Sequence, residues 1–480
     1  MTIQGVTFEN QKVLGRAFYF LFFCSLAMLL QCSPARAQAV RQPTIVFRGA
    51  RLIDGTGRPA VENSVIVVEG GKIVAVGNAG SVTIPKGAEV RDVAGKSIMP
   101  LLTVLIGHVG MTAKVGETTA CVCYSEEIIR SELQLNLAYG VGTYVSLGQD
   151  QDLIYNLRED QRKGNLPGSR LFTAGRGLGV KNAYPDPVYA NGVDQYRPQT
   201  PEEGRADVRE LATHHPDFMK IWIDDNYGSI PKMQPPMYRA LIDEAHRQHL
   251  RVIAHEYALE DARGLVDAGV DGFAHSIRDK PVDADLIKAM KAHGTFLIPS
   301  IAREESKVVY MDGPKYLDDP FFQAGLDVGV LETLRSPAFK AAARNSPYYV
   351  RNSQALKLGF ELAKKNLKPL YDAGVKIGFG SDSGFTAQTL RFEGFHDHRE
   401  LQLMVESGLT PMQAIVIATG GSAQLLGGPS VDFGTLEAGK QADFMVLNAN
   451  PLEDIHNTEK ISAVWQAGKS VRSISTSGRN

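Results

Sequence analysis

Cysteine is scarce in this chain: there are four in 480 residues, and two of them, Cys24 and Cys32, fall within the first 37. Cys121 and Cys123 are left, one residue apart, and on an extended segment they would point to opposite faces. A bridge between them would be strained, so a disulfide framework is excluded and the pair reads as packing or loop residues. An excess of either charge is also lacking. Lys plus Arg total 51 against 53 Asp plus Glu, which leaves no basic face to draw in phosphate backbones and excludes nucleic acid as a partner. The apolar run from Ala17 to Leu30 has only 14 residues, short of the ~20 that a membrane-spanning helix needs.

That run carries a different signal. Lys12 and Arg16 precede it and Ala35-Arg36-Ala37 follows, so charge, apolar stretch and small-x-small cut site read as a secretory signal peptide over residues 1–37. Export to the periplasm or medium is the expectation, with no stable membrane association after cleavage. Leu29-Leu30-Gln31-Cys32 resembles a lipoprotein site, but Gln31 is bulkier than such a site wants before its cysteine, and lipidation of Cys32 stays open. Setting the leader aside removes Lys12, Arg16, Arg36 and Glu9, leaving 48 basic against 52 acidic side chains. With 44% hydrophobic and 22% charged residues, the remainder is globular rather than collagen-like, disordered or coiled-coil.

Two styles of sequence alternate along it. From Thr44 to Asp92 the chain is β-branched and turn-rich, and Glu69-Gly70-Gly71-Lys72 between two apolar runs predicts a hairpin. The far end repeats the style at Ala442–Leu447 and Ile461–Lys469. Short strands at opposite ends can pair only if the middle closes on itself, so residues 38–97 and 426–480 are expected to form one split β-sandwich domain. Between them, over 98–425, short apolar runs alternate with helical periodicity. The candidate strands are Ile98–Val109, Gly142–Ser146, Arg170–Ala174, Phe218–Ile223, Arg251–His255, Gly272–His275, Thr295–Ser300 and Lys376–Gly380. Helices are predicted at Pro235–His249 and Leu259–Ala268, and residues 301–352 read as an irregular insertion, a lid or a helical excursion. Eight such units predict an α/β fold, a (β/α)8 TIM barrel.

In such a barrel chemistry sits at the C-terminal ends of the strands, so a polar residue closing an apolar run is informative. His108 ends the first run, Lys220 lies inside the fourth, His255 ends the fifth, His275 the sixth, and Asp382 follows the eighth. One strand-end histidine is ordinarily hydrogen-bonded packing. A lysine between apolar neighbours is harder to dismiss, because burying an unpaired ammonium is expensive.

The segments GARLIDGTG, SIMPLLTVLIGHVG, FMKIW, VIAHEY, GFAHS, GFGSDSG and GTLEAGKQADFMVLNANPLEDI resemble the amidohydrolase superfamily, especially its imidazolonepropionase-like and prolidase-like branch. The resemblance implies a hydrolase with one or two divalent ions, usually zinc. It also implies ligands at a strand-one His-x-His pair, a carboxylated lysine, two histidines and an aspartate; carried onto this sequence these are His108, Lys220, His255, His275 and Asp382. One is missing: Ile106 stands where that pattern has its first histidine, and Leu101 replaces its glycine. An aliphatic side chain donates nothing to a metal, so the inner position is expected to bind weakly. Lys220, His255 and His275 would serve the outer ion, leaving a water position open, with Asp382 as general base and acid.

The predicted reaction is hydrolysis of a C–N bond in an amide, cyclic amide or dipeptide. An esterase or lactonase of the same superfamily, and a catalytically impaired protein that binds a small molecule or a single metal, are the alternatives. The partner expected is a small-molecule substrate, and a homo-oligomer is left open. Tyr257 is a candidate for lining the substrate pocket. His396-Asp397-His398 looks like a displaced His-x-His but reads as a solvated loop-to-helix segment, and Arg303 and Lys307 read as soluble surface or as attractors of a substrate carboxylate.

Overall fold

The structure, a computed structural model, describes residues 43–110, 124–183, 195–384 and 389–474. The expected leader, Cys32 and the Cys121/Cys123 pair lie outside the described residues. Strands β1 (Ile45–Arg48), β2 (Arg51–Leu52), β3 (Ser64–Glu69), β4 (Lys72–Asn78), β5 (Glu89–Asp92) and β6 (Ser97–Pro100) come from the first stretch. The predicted hairpin is β3–β4, with Glu69 opposite Lys72 and both turn glycines at positive φ (55° and 83°), the geometry a two-residue turn of the right hand requires.

These strands divide between two sheets. One runs β4-β3-β1-β5; the other adds β14 (Phe444–Leu447), β15 (Ile461–Gln466) and β16 (Lys469–Val471) in the order β16-β15-β14-β6-β2. The second sheet thus joins both ends of the chain, with Phe444 opposite Pro100 in the antiparallel β14–β6 pair. Phe47, Ile66 and Val68 of the first sheet share one apolar cluster with Phe444, Val446 and Trp465 of the second, and Phe47 meets Phe444 edge-on at 4.9 Å between ring centroids. The predicted strand Ile98–Val109 is two strands, because the chain changes sheets at Leu101: β6 pairs with β14, and β7 (Leu102–Gly107) pairs with β8.

The middle of the chain is an α/β fold with parallel sheets. Strands β7, β8 (Val141–Ser146) and β9 (Arg170–Thr173) form one; β10 (Met219–Trp222), β11 (Val252–His255), β12 (Gly272–Ala274) and β13 (Phe296–Ile298) form the other, each in sequence order. Both faces of β7, β8 and β10 to β13 are buried, as expected where helices cover a parallel sheet. Isolated parallel bridges connect Leu178 with Ile221, Leu297 with Ile377 and Gly107 with Ser383. The expected eighth strand, Lys376–Gly380, forms no regular strand; it is tied in by Gly378 N–H to Leu297 O and Leu105 N–H to Phe379 O, each 2.7 Å. Gly378 and Gly380 account for this. A Cβ on Gly380 would lie 2.8 Å from Ile106 Cγ2, so the backbone passes too close for a side chain to build a pleated strand.

Helices fill the gaps, started by local caps: Thr200 accepts from Glu203 N–H with Pro201 in the first turn, and Asp283 accepts from Leu286 N–H. The two predicted helices are Pro235–Arg247 and Leu259–Asp267. Residues 301–352 are not irregular. They form helices Ile301–Val309, Pro320–Ala324, Val328–Arg335, Pro337–Asn345 and the start of the 26-residue Pro347–Asp372. Among the described residues no helix is long and apolar enough to cross a membrane.

Candidate active site

The five polar residues converge. His108 follows β7, Lys220 sits inside β10, His255 ends β11, His275 follows β12 and Asp382 follows the glycine-rich segment, and all five line one cavity of about 470 Å³ at the C-terminal ends of the strands. His255 pairs in register with Ala274, which brings His275 alongside it; the two imidazoles meet edge-on at 4.6 Å. His275 and Asp382 both hold positive φ, 81° and 60°. Non-glycine residues in that region carry strain of about 1–3 kcal/mol, which collects where a side chain must be aimed.

On one side of the cavity, donors lack partners. Lys220 is 2% exposed and its Nζ has no hydrogen-bond partner. Burial pushes its pKa down to about 7, with Asp382 and Asp224 opposing and Arg303 and Arg278 adding to the shift. His275 Nδ1 is likewise buried without a partner, and burial followed by the charge of Arg303 holds the ring well below the ordinary histidine range. His255 Nε2 lies 2.7 Å from Asp224 Oδ2, and burial lowers its pKa to about 3. Burial opposes the charge of Asp224, but His255 and Arg278 hold it below the usual carboxylate range. Asp224 therefore accepts, His255 Nε2–H donates, and Nδ1 keeps the lone pair.

On the other side both oxygens of the Asp382 carboxylate are engaged. Asp382 Oδ1 lies 3.1 Å from His108 Nε2, while Oδ2 faces Arg391 Nη2 at 2.9 Å and Arg303 Nε at 3.2 Å. Arg391 Nε also donates to the Asp382 carbonyl. Burial opposes the charge here too, yet Arg391, His108 and Arg303 hold Asp382 below the ordinary carboxylate range. Ile106, 1% exposed, packs in the apolar cluster beneath with Leu105, Ile253, Ala274 and Ile298.

Several of these partners were not singled out from the sequence. Asp224, directly after the fourth apolar run, and Arg278, three residues past His275, carried the signal of position alone; Arg391 lies too far along the chain to be placed. Arg303 and Lys307 are not soluble surface. Both line the cavity, Arg303 is 6% exposed, and with Arg278 they surround the fully buried Glu304, whose Oε2 lies 2.7 Å from Lys307 Nζ. Nor is His396-Asp397-His398 solvated: all three are fully buried at the start of helix Phe395–Glu406, where Asp397 accepts from Ser381 Oγ at 2.6 Å and His398 Nε2 donates to Tyr139 O. Through Asp397 the segment is tied to Ser381, the chain neighbour of Asp382. Tyr257 lines the cavity, with the Arg278 guanidinium 5.1 Å from its ring centre.

Among the described residues no three His, Cys, Asp or Glu side chains are gathered as an ion would gather them. A single ion fits only with the lysine as third donor, where the unpartnered atoms of Lys220 and His275 lie beside His255. A second ion does not fit. Ile106 offers no lone pair, and the Asp382 oxygens already face two guanidiniums and an imidazole.

The sequence profile of the amidohydrolase family matches residues 105–471. An uncharacterized protein of Mycobacterium bovis is 25% identical over 231 residues, 47% of this chain and 52% of that protein. Ochratoxinase of Aspergillus niger is 26% identical over 253 residues, 51% of this chain and 43% of the enzyme. The chain thus spans about half the length of the curated relatives it matches. A crystal structure of a Xaa-Pro dipeptidase with bound methionine superposes with a TM-score of 0.68 at 22% identity, covering 89% of this chain and 99% of that one, a likeness of fold.

Proposed function

The chain belongs to the amidohydrolase family, and from that premise we propose an exported, metal-dependent hydrolase that cuts the C–N bond of an amide, cyclic amide or dipeptide. The observation that carries this reading is the gathering of His108, Lys220, His255, His275 and Asp382, spread over the sequence, around one cavity. The proposed frame is a closed (β/α)8 barrel over residues 98–425 beside a β-sandwich of both chain ends; the three isolated bridges and the mixed-origin sheet support it. The leader-like segment supports export.

The residues fit one divalent ion, for which zinc suits the nitrogen-rich donors, held by carboxylated Lys220, His255 and His275. Bound there, it would supply Lewis acidity at the scissile carbonyl and lower the pKa of water to ~7. The chain's own groups do the rest. Asp224 fixes the His255 ring through Nε2 and leaves the lone pair on Nδ1. Asp382, kept ionised by Arg391, Arg303 and His108, accepts the proton of the attacking water and returns it to the leaving nitrogen. Trp222, Tyr227, Tyr257 and Tyr348 line the cavity and offer aromatic surface to a substrate. An ester or lactone carbonyl would meet the same groups.

Ile106 and the double arginine pairing of Asp382 favour a second reading, a family member that binds a small molecule or one ion without turnover. The experiment is metal analysis of the purified protein beside an amidase and dipeptidase panel. About one transition-metal ion per chain with turnover supports the hydrolase; an ion without turnover supports the second reading, and no ion at all overturns the metal hydrolase.

A further inference from the structure

Arg303 reaches the centre of the site from the first turn of helix Ile301–Val309, directly after β13. Its Nε lies 3.2 Å from Asp382 Oδ2, its Nη1 is hydrogen-bonded to Glu304, and its side chain is 7% exposed. Arg391 approaches the same carboxylate oxygen from the loop beyond Asp382. Two residues before His108, Ile106 offers only an aliphatic chain, packed against Gly380 in the apolar cluster beneath.

We propose that Arg303 is the built-in cation of the inner half: it occupies at Asp382 the place a second divalent ion would need, so the site holds one ion, on the Lys220–His255–His275 side. This rests on the reading of a metal hydrolase given above. A guanidinium already satisfies the two needs an inner ion would meet, charge balance for Asp382 and a fixed aim for its oxygens. It also repels a divalent cation brought beside it in a low-dielectric cavity. An aliphatic side chain at Ile106 and an arginine facing Asp382 are then two parts of one arrangement, and changing either alone does not open the inner position.

The test is zinc stoichiometry. The chelator-stripped full-length protein is reconstituted with zinc, freed of excess by gel filtration and assayed for ions per chain, for the parent, Ile106→His, Arg303→Met and the double variant Ile106→His/Arg303→Met. One ion is expected in the parent and in each single variant, and two in the double variant. Thermal melts check folding, and Ile106→His/Arg303→Gln, which keeps a polar group beside Glu304, carries the same expectation should the methionine variant not fold. Two ions in the parent, or one in a folded double variant, overturn this inference and leave the metal hydrolase standing; no ion in the parent overturns both.

Discussion

On the Lys220 side of the cavity, two buried donor atoms, Lys220 Nζ and His275 Nδ1, face no partner; on the Asp382 side, both carboxylate oxygens are engaged by His108, Arg303 and Arg391. Both sides are equally buried, so solvent does not explain the contrast. A buried polar atom left unpaired costs about 1–3 kcal/mol, and folds keep such atoms where a ligand repays them. On the proposed reading, the first side is organised around an ion that arrives after folding. On the second, the Asp382 carboxylate is satisfied by the polypeptide itself, and its strength is that of charge-assisted hydrogen bonds, which need no ion.

The largest effect should follow from cutting the unpartnered side. Lys220→Met is expected to reduce zinc affinity more than ~100-fold, since it removes one of three donors to a structural or catalytic zinc. His108→Ala is expected to leave one ion per chain in place, because His108 serves Asp382 and not that ion. In the stripped protein the same Lys220→Met should raise the melting temperature, since it deletes a buried unpaired amine. Chelator-competition titration and paired melts read both quantities. Equal zinc loss in the two variants would erase the contrast.

An intermediate effect should come from a residue that touches no ion. Asp224 holds the His255 ring at 2.7 Å and is itself held by Arg278 at 3.5 Å. Replacing such an orienting carboxylate commonly costs about 10–100-fold in metal affinity, so Asp224→Asn should weaken zinc by that factor. Stoichiometry should stay at one ion per chain at saturation. Unchanged affinity would mean that His255 is not a donor.

How far the sequence reached follows the same division. Lys220, His255, His275 and Asp382 were legible because each interrupts or closes an apolar run, and period and position suffice to find such residues. The hairpin at Gly70-Gly71 and the pairing of the two chain ends were legible for the same local reason. Arg303 and Arg391 were not. A guanidinium on a helix after a strand reads as surface until its partner across 79 residues of chain, Asp382 for Arg303, is brought beside it. His396-Asp397-His398 failed likewise: its composition reads as solvated, and only the tertiary contacts with Ser381, Tyr139 and Thr458 show why it is buried. The eighth strand was overread because an apolar run marks burial, not hydrogen bonding, and Gly378 and Gly380 are what such a reading overlooks.

The smallest effect lies behind the self-contained side, where Asp397 accepts from Ser381 Oγ, next to Asp382 in the chain. Burial pushes its carboxyl up from the ordinary 3.8 to about 7, with the two hydrogen bonds from Ser381 opposing. The folded state then holds the proton more tightly than the unfolded chain. Its contribution to stability is fully present below about pH 4 and is lost as pH rises through about 7. Asp397→Asn keeps an acceptor for Ser381 and cannot ionise, so its melting temperature relative to the parent should climb from pH 5 to pH 8, with zinc stoichiometry unchanged. A difference that stays flat over that interval would show Asp397 to be ionised in the fold, and would mean that the brace behind Asp382 is a charge held by its hydrogen bonds rather than a neutral acid.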